Sequence, residues 1–273
     1  MGMTPLAARI EGVGFWTGGL PSWPDAQHFA RDGVSPEAAP ARPSPQLLPP
    51  NERRRAPPSV AVALQVALEA CQASGRDPAT LPSVFASTHG ELGLTDYSCS
   101  TLATDPRSLS PIRFHNSVHN AASGYWTIGT GAMAPSTALS AMGATFAEAL
   151  LEGLVQLASG EDAVLVVAYD VQSVGPLGEQ ARSDGLLGAA LVLARDEREN
   201  APVLQAVLAD GMPDAADGPL ARHAAGNAMA PMLPLFDALV RGAPADLALD
   251  AGPGRVLRVR LLAGADGMES IDA

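Results

Sequence analysis

The segment from Pro135 to Asp170 constrains the fold more than any other part of the chain. PSTALSAMG (135–143) reads as a strand, ATFAEALLEGLVQLASG (144–160) as a helix, and AVLVVAYD (163–170) as a second buried strand. Two apolar runs flanking a helix of about 15 residues make a βαβ unit, and its crossover forces the two strands to run parallel. A parallel sheet is buried on both faces, so helices must cover it from both sides.

The remaining sequence supplies more sheet and its cover. SVAVALQVALEACQASG (59–75) is apolar nearly all round and closes on Gly75, as a buried helix with a glycine stop does. LPSVFASTHGELG (81–93) is a short apolar run that breaks into a glycine-containing polar loop. LLGAALVLARD (186–196) and VLQAVLAD (203–210) add two strands, MAPMLPLFDALVRG (229–242) a late helix, and RVLRVRLL (255–262) a last strand. The proline-dense stretch 35–58 is expected to be irregular or extended surface. No repeat of about 20 to 50 residues is present.

Composition narrows the function classes. With 273 residues, 47% hydrophobic and 17% charged, the chain is globular, and one domain suffices. No apolar run reaches the roughly 20 residues of a spanning helix, and the start lacks the basic head and apolar stretch of a leader, so a cytoplasmic protein without membrane partners is expected. A net charge of −12 repels nucleic acid, and only Arg53, Arg54 and Arg55 form a basic cluster. Two cysteines outside any CxxC pair, Cys71 and Cys99, argue against redox chemistry or a disulfide framework.

SPIRFHNSVHN (110–120) places His115 and His119 four apart, the spacing with which a helix grips zinc. No Glu lies between them to act as base. Although His89, with Glu91 close by, is a candidate third ligand, no metal is assigned. A nucleophile reading fares no better. The strand-to-helix junction LSAMGATFAEALLEG is where a helix N-terminus would activate a thiol or hold an oxyanion, yet Gly143 stands at the turn, Cys99 is elsewhere, and Ser140 is placed within the strand.

Residues 110–170 as a whole resemble the centre of a beta-ketoacyl-ACP synthase. Ser110-Pro111, Asn120, Gly124, Pro135-Ser136 and Gly160-Glu161 fall in that family's order and spacing. HGELGL (89–94) is similar to its glycine-rich loop, and SDGLLGAALVLARD (183–196) to its Asp-Gly stretch before a central strand. The likeness is best over 60–210 and loosest over 215–273. Counted from Pro135-Ser136, the family's cysteine falls on Gly143, and glycine has no side chain to carry an acyl group. The family's histidine motifs belong to a C-terminal half with no counterpart in this sequence.

A ketosynthase frame without its cysteine resembles the chain length factors, and RFHNSVHNAASGYW resembles those of aryl polyene clusters in particular. The resemblance implies an α/β, thiolase-like fold, mainly one βαβ-rich half with a parallel or mixed sheet covered by helices, forming a single domain over 1–273. It implies a pseudoenzyme without cofactor, working in a heterodimer with an active ketosynthase and meeting acyl carrier protein mainly through that partner. The strand Thr137, Ala138, Leu139, Ser140 and Ala141 would pair across a local dyad, and a helix from about Asn116 to Trp126 would lie against the partner's acyl tunnel. On one helix, His115, Val118, His119 and Ala122 would share a face, with Tyr125 and Trp126 following. The residues alone leave two alternatives, a homodimeric acyl-binding protein and an atypical thioester hydrolase or decarboxylase.

Overall fold

The computed structural model describes residues 5–195 and 200–264, and its elements arrange two apolar surfaces on the two faces of one sheet. In chain order, β1 (Leu6–Thr17) precedes α1 (Trp23–Asp32), α2 (Pro50–Arg55) and α3 (Pro58–Ser74). Next come β2 (Ser83–Ala86), α4 (Leu92–Thr104), α5 (Pro111–Asn116), α6 (Ala121–Thr130) and β3 (Ser136–Leu139). The expected βαβ unit is β3, α7 (Thr145–Ala158) and β4 (Ala163–Asp170). After α8 (Gly175–Gln180) and β5 (Leu187–Ala194) the chain ends with β6 (Val203–Asp210), α9 (Pro219–His223), α10 (Leu233–Arg241), β7 (Ala245–Asp250) and β8 (Arg255–Leu262).

The eight strands lie in the order β3-β2-β4-β5-β1-β6-β8-β7, with β2, β3 and β4 parallel and every other pair antiparallel. The sheet is therefore mixed, and only its β3 end keeps the parallel geometry expected of the crossover. Alternation along the central strands divides the core. Val164, Val166 and Ala168 of β4 join α7 and α10 on one face, through Leu150, Leu154, Leu235 and Phe236. Ala163, Leu165, Val167 and Tyr169 join α3 and α6 on the other, through Val62, Val66, Ala122 and Trp126. Because a strand turns successive side chains to opposite faces, a fully apolar strand feeds both cores at once.

β1 has no counterpart among the sequence-based elements. Leu6–Arg9 pair with β6, and Arg9–Thr17 pair with β5, whose register shifts between Ile10 and Gly12. Gly12 and Gly14 explain how α3 lies so close to it: a Cβ on either would come within 2.1 Å and 2.0 Å of the Ala70 and Val66 carbonyl oxygens. The helix stops as its sequence requires, with Gly75 left-handed at φ 71°.

Two expectations fail. The proline-dense stretch is not irregular throughout, since Pro50 opens α2, where a proline's missing N–H costs nothing. There Arg53 donates to the Leu48 carbonyl and Gln46 Oε1, so it braces this turn instead of forming a loose basic loop. The single helix expected from Asn116 to Trp126 is two helices, α5 and α6, separated by residues 117–120. Ser117 returns its hydroxyl to the Phe114 carbonyl, and Asn116 accepts from the Tyr125 hydroxyl at 3.1 Å. Short polar side chains that bond locally compete with the helix here.

Candidate functional site

Three parallel strands bring three chain turns together at their C-terminal ends, the place where open α/β sheets build sites. After β2 runs Ser87-Thr88-His89-Gly90-Glu91; after β3, Ser140-Ala141-Met142-Gly143; β4 ends in Asp170. Asp170 is fully buried and ties the first turn down. Its Oδ1 accepts from Ser87 Oγ at 2.7 Å and from the His89 amide at 3.3 Å, and its Oδ2 accepts from the Thr88 amide at 3.0 Å. Ser87 Oγ in turn accepts from the Gly90 amide at 2.8 Å. Burial pushes the Asp170 carboxyl above the usual carboxylate range, with the hydrogen bonds pulling the other way. Glu91, also raised by burial, turns from this turn to accept from the Ser59 amide in the first turn of α3. Asn227 Nδ2 reaches the carbonyls of Asp170 and Asp184, joining the region before α10 to the same cluster.

The second turn is a strand-to-helix elbow. Ser140 Oγ donates to the Thr88 carbonyl at 2.9 Å, binding the elbow to the first turn. The Ala141 amide donates to Thr145 Oγ1, whose hydroxyl donates to the Met142 carbonyl at 2.6 Å. Met142 carries φ 53°, the only positive φ outside glycine among the described residues. Strain of this kind is characteristic of functional turns. It sits one residue before Gly143, the position reached by counting from Pro135-Ser136. Met142 is exposed, and a Cβ at Gly143 would stand 3.2 Å from Asp250 Oδ2. A thioether and a hydrogen are what the elbow offers, and a carboxylate stands beside the amide end of α7. Neither Met142 nor Gly143 carries a side chain that forms a thioester or ester.

The residues singled out from sequence do not form one face. His115 is exposed at the end of α5, whereas His119 lies in the break between helices, its Nε2 2.7 Å from the Ser87 carbonyl oxygen. Val118 is 42% exposed, but Ala122 and Trp126 are buried against α3, with the Trp126 ring 6.1 Å from that of Phe85. The shared helical face of His115, Val118, His119 and Ala122 is thus absent, because the turn at 117–120 resets the helical phase. Among the described residues no three His, Cys, Asp or Glu side chains converge as metal ligands would. Thr137, Ala138 and Leu139 do lie on β3, half-buried at the sheet's edge, while Ser140 and Ala141 are past its end. Ser140 is therefore part of the elbow and not of the strand.

Sequence reasoning did not single out Asp170, Ser87 or Met142. The signal for Asp170 was present as a lone acid closing the apolar run AVLVVAY. Met142 had none, since a positive φ is set by the turn and not by the residue in it. On α5, on α6, in the break between them and in the turns before β3 and α7, large apolar side chains stand in solvent: Ile112 (69% exposed), Phe114, Val118, Ile128 (84%), Met133 (96%) and Met142. No described helix is long and apolar enough to cross a membrane.

A family model described as the beta-ketoacyl synthase N-terminal domain matches residues 23–243. Curated proteins contain no sequence match to the chain. Among solved structures, the fold is similar to a chain of the ketosynthase ApeO in complex with its chain length factor ApeC from Xenorhabdus doucetiae. That match has TM-score 0.71 and 21% identity, covering 95% of this chain and 100% of the other. It is similar to a chain of AntDE:AntF, a type II polyketide synthase acyl carrier protein in complex with its ketosynthase, with TM-score 0.72, 12% identity and coverage of 96% and 100%. The ishigamide ketosynthase/chain length factor gives TM-score 0.71, 15% identity and coverage of 96% and 99%. By contrast, the chain covers 47% of a module 1 ketosynthase of the bacillaene synthase from Bacillus amyloliquefaciens FZB42. At these identities the likeness establishes the thiolase-like ketosynthase fold.

Proposed function

This chain belongs to the beta-ketoacyl synthase N-terminal domain family, and we therefore propose that it is the non-catalytic chain length factor subunit of a ketosynthase heterodimer. The observation that carries the reading is the elbow. Its strained turn and following helix are kept, but Met142 and Gly143 stand where a nucleophile is needed. Support also comes from the fold's end-to-end match with chains from complexes of a ketosynthase and its chain length factor. In this reading the partner supplies the cysteine and histidines. The present chain supplies interface and tunnel wall, setting how far an acyl chain held on carrier protein can grow, with an aryl polyene as the product class. The acidic carrier protein docks mainly on the partner, since this chain's net charge of −12 repels it.

The hydrolase or decarboxylase alternative needs a free base or nucleophile at the site. His119 and Ser140 each engage a backbone carbonyl instead, of Ser87 and Thr88, and His115 stands apart from both. Co-expression with an active ketosynthase subunit from the same organism, followed by light scattering and a malonyl-dependent elongation assay, tests the proposal. A one-to-one complex that elongates, with no turnover by this chain alone on acyl or malonyl thioesters, is the expected result. Turnover by the isolated chain supports the enzyme alternative, and a homodimer that ignores the ketosynthase supports an acyl-binding protein. Either outcome overturns the proposal.

A further inference from the structure

The amide end of α7 meets a charge that arrives from a strand far along the chain. α7 is 14 residues long, and no side chain caps its start: Ala144, which precedes it, has no polar group, and Thr145 Oγ1 accepts from the Ala141 amide and donates to the Met142 carbonyl. A helix end in this state favours a negative group beside it. Asp250 brings one. A Cβ on Gly143 would stand 3.2 Å from Asp250 Oδ2, and apart from the two flanking residues nothing else described lies within 4 Å of that point.

The position of this carboxylate is fixed by the strand that carries it. Asp250 is the last residue of β7, in register with buried Val256 of β8. In the hairpin between the strands the Ala251 amide donates to the Arg255 carbonyl at 3.2 Å, and the Arg255 amide to the Gly252 carbonyl at 3.0 Å. Gly252 and Gly254 supply the positive φ, 102° and 72°, that the turn requires. Asp250 Oδ1 accepts from the Gly252 amide at 2.9 Å, which leaves Oδ2 for the elbow. Among the described residues Asp250 makes no ion pair with an Arg or His, so its charge is not neutralised. Half-buried Glu148, in the first turn of α7, is the other carboxylate near that helix end.

We infer that Asp250 sets a fixed negative charge in the elbow and closes it to anions, so that the turn is barred from acyl chemistry by its field as well as by its missing nucleophile. Acyl transfer at a strand-to-helix turn places negative charge first on the nucleophile and then on the carbonyl oxygen, and both gain from a bare helix amide end. Here a carboxylate stands at that end, and it repels a thiolate, an oxyanion or the carboxylate of a malonyl group alike. The inference rests on the non-catalytic reading above and deepens it: Asp250 keeps the thioester with the partner.

The test introduces a thiol at the elbow of the full chain and reads its titration. Gly143 does not take a positive φ, so the backbone accepts Gly143→Cys. In a Cys99→Ser background the one other thiol is Cys71, which burial pushes up to about 12. The pH dependence of alkylation by iodoacetamide, followed by mass spectrometry, then reports the introduced thiol. With Asp250 in place it should titrate at or above the ordinary value of about 8.5. Adding Asp250→Asn, which keeps the size of the side chain and an acceptor for the Gly252 amide, should lower that value by about one unit or more, toward the range of thiols at helix N-termini. Asp250→Ala should move it the same way, and Glu148→Gln should move it less. A thiol that titrates about a unit or more below 8.5 with Asp250 present, one that neither Asp250 variant moves, or one that Glu148→Gln moves further than Asp250→Asn does, overturns the inference. These titrations need no partner, so their failure leaves the heterodimer standing, while failure to form the one-to-one complex counts against the proposed function and not against the charge at the elbow.

Discussion

Replacing Asp170 by alanine should loosen the strand-end turns and destabilise the whole chain. Asp170 accepts from Ser87 Oγ at 2.7 Å, the Thr88 amide at 3.0 Å and the His89 amide at 3.3 Å, and it is fully buried. A buried donor left without its acceptor costs about 1 to 3 kcal/mol. The alanine strands three donors, but the longest bond counts least, and removing the carboxylate relieves the burial that raises its pKa. A net loss of about 3 kcal/mol follows, a large share of the roughly 5 to 15 kcal/mol that holds a domain together. Asp170→Asn is the internal control. With its oxygen at the Oδ1 position it keeps the Ser87 and His89 bonds and loses only the Thr88 amide, for about 1 kcal/mol. Urea unfolding gives the stabilities, and hydrogen exchange at the Thr88 and His89 amides locates the loss. An alanine variant within about 0.5 kcal/mol of wild type with both amides still protected would refute the anchoring role, as would an asparagine variant as costly as alanine.

Gly14→Ala should destabilise by about 3 kcal/mol or more, because its Cβ would come within 2.0 Å of the Val66 carbonyl oxygen and lift α3 off β1; unchanged thermal unfolding would contradict that seating. Val118→Trp, on an exposed position, should leave stability within about 0.5 kcal/mol and shift the complex's products to shorter chains by mass spectrometry. Ala122→Phe, inside this chain's own core, should cost about 1 to 3 kcal/mol, and unchanged product lengths with Val118→Trp in an intact complex would remove the tunnel wall from this helix pair. Cysteine at Met142 or Gly143 should yield at most an acylatable thiol, and carbon–carbon bond formation by that variant without a partner would defeat the division of labour proposed. Glu69, Glu91, Asp170 and Asp237 are all raised by burial. The folded chain therefore holds protons that the unfolded chain has released, and stability should fall as pH rises from the ordinary carboxylate range, about pH 4, through the raised values. Charge repulsion at −12 acts in the same direction, so a stability that climbs over that interval in denaturant titrations would contradict the burial of these groups.

Much of the architecture was legible because it depends on local pattern. The nearly unbroken apolar runs of AVLVVAYD and LLGAALVLARD mark central strands, and β4 and β5, which they form, are buried along their whole length. The helix ending at Gly75 was readable from a nearly unbroken apolar run and its left-handed stop. β1 escaped notice because glycines at 12 and 14 weaken any strand signal, and their reason lies outside the strand, in the backbone of α3 that rests on them. β7 was passed over as ADLALD, a short partly exposed strand defined by its pairing with β8.

The candidate site divides along the same line. Spacing from Pro135-Ser136 pointed to the strand-to-helix elbow at Met142-Gly143, since sequence distance is nearly the same as spatial distance within one turn. Which residue bears the positive φ, Met142 and not Gly143, follows from how β3 must bend into α7. The four-residue spacing of His115 and His119 promised a common face only if one helix continued through both. Local side-chain bonds at Asn116 and Ser117 end it, so His119 turns to the Ser87 carbonyl and Ala122 to the core. Periodicity and turn chemistry are properties of neighbours in sequence, and they determined the apolar strands, the long helices and the position of the elbow. The Asp170 anchor on Ser87 and the Ser140 tie to Thr88 bring together groups tens of residues apart, and only the tertiary structure, by closing those distances, decided which of them meet.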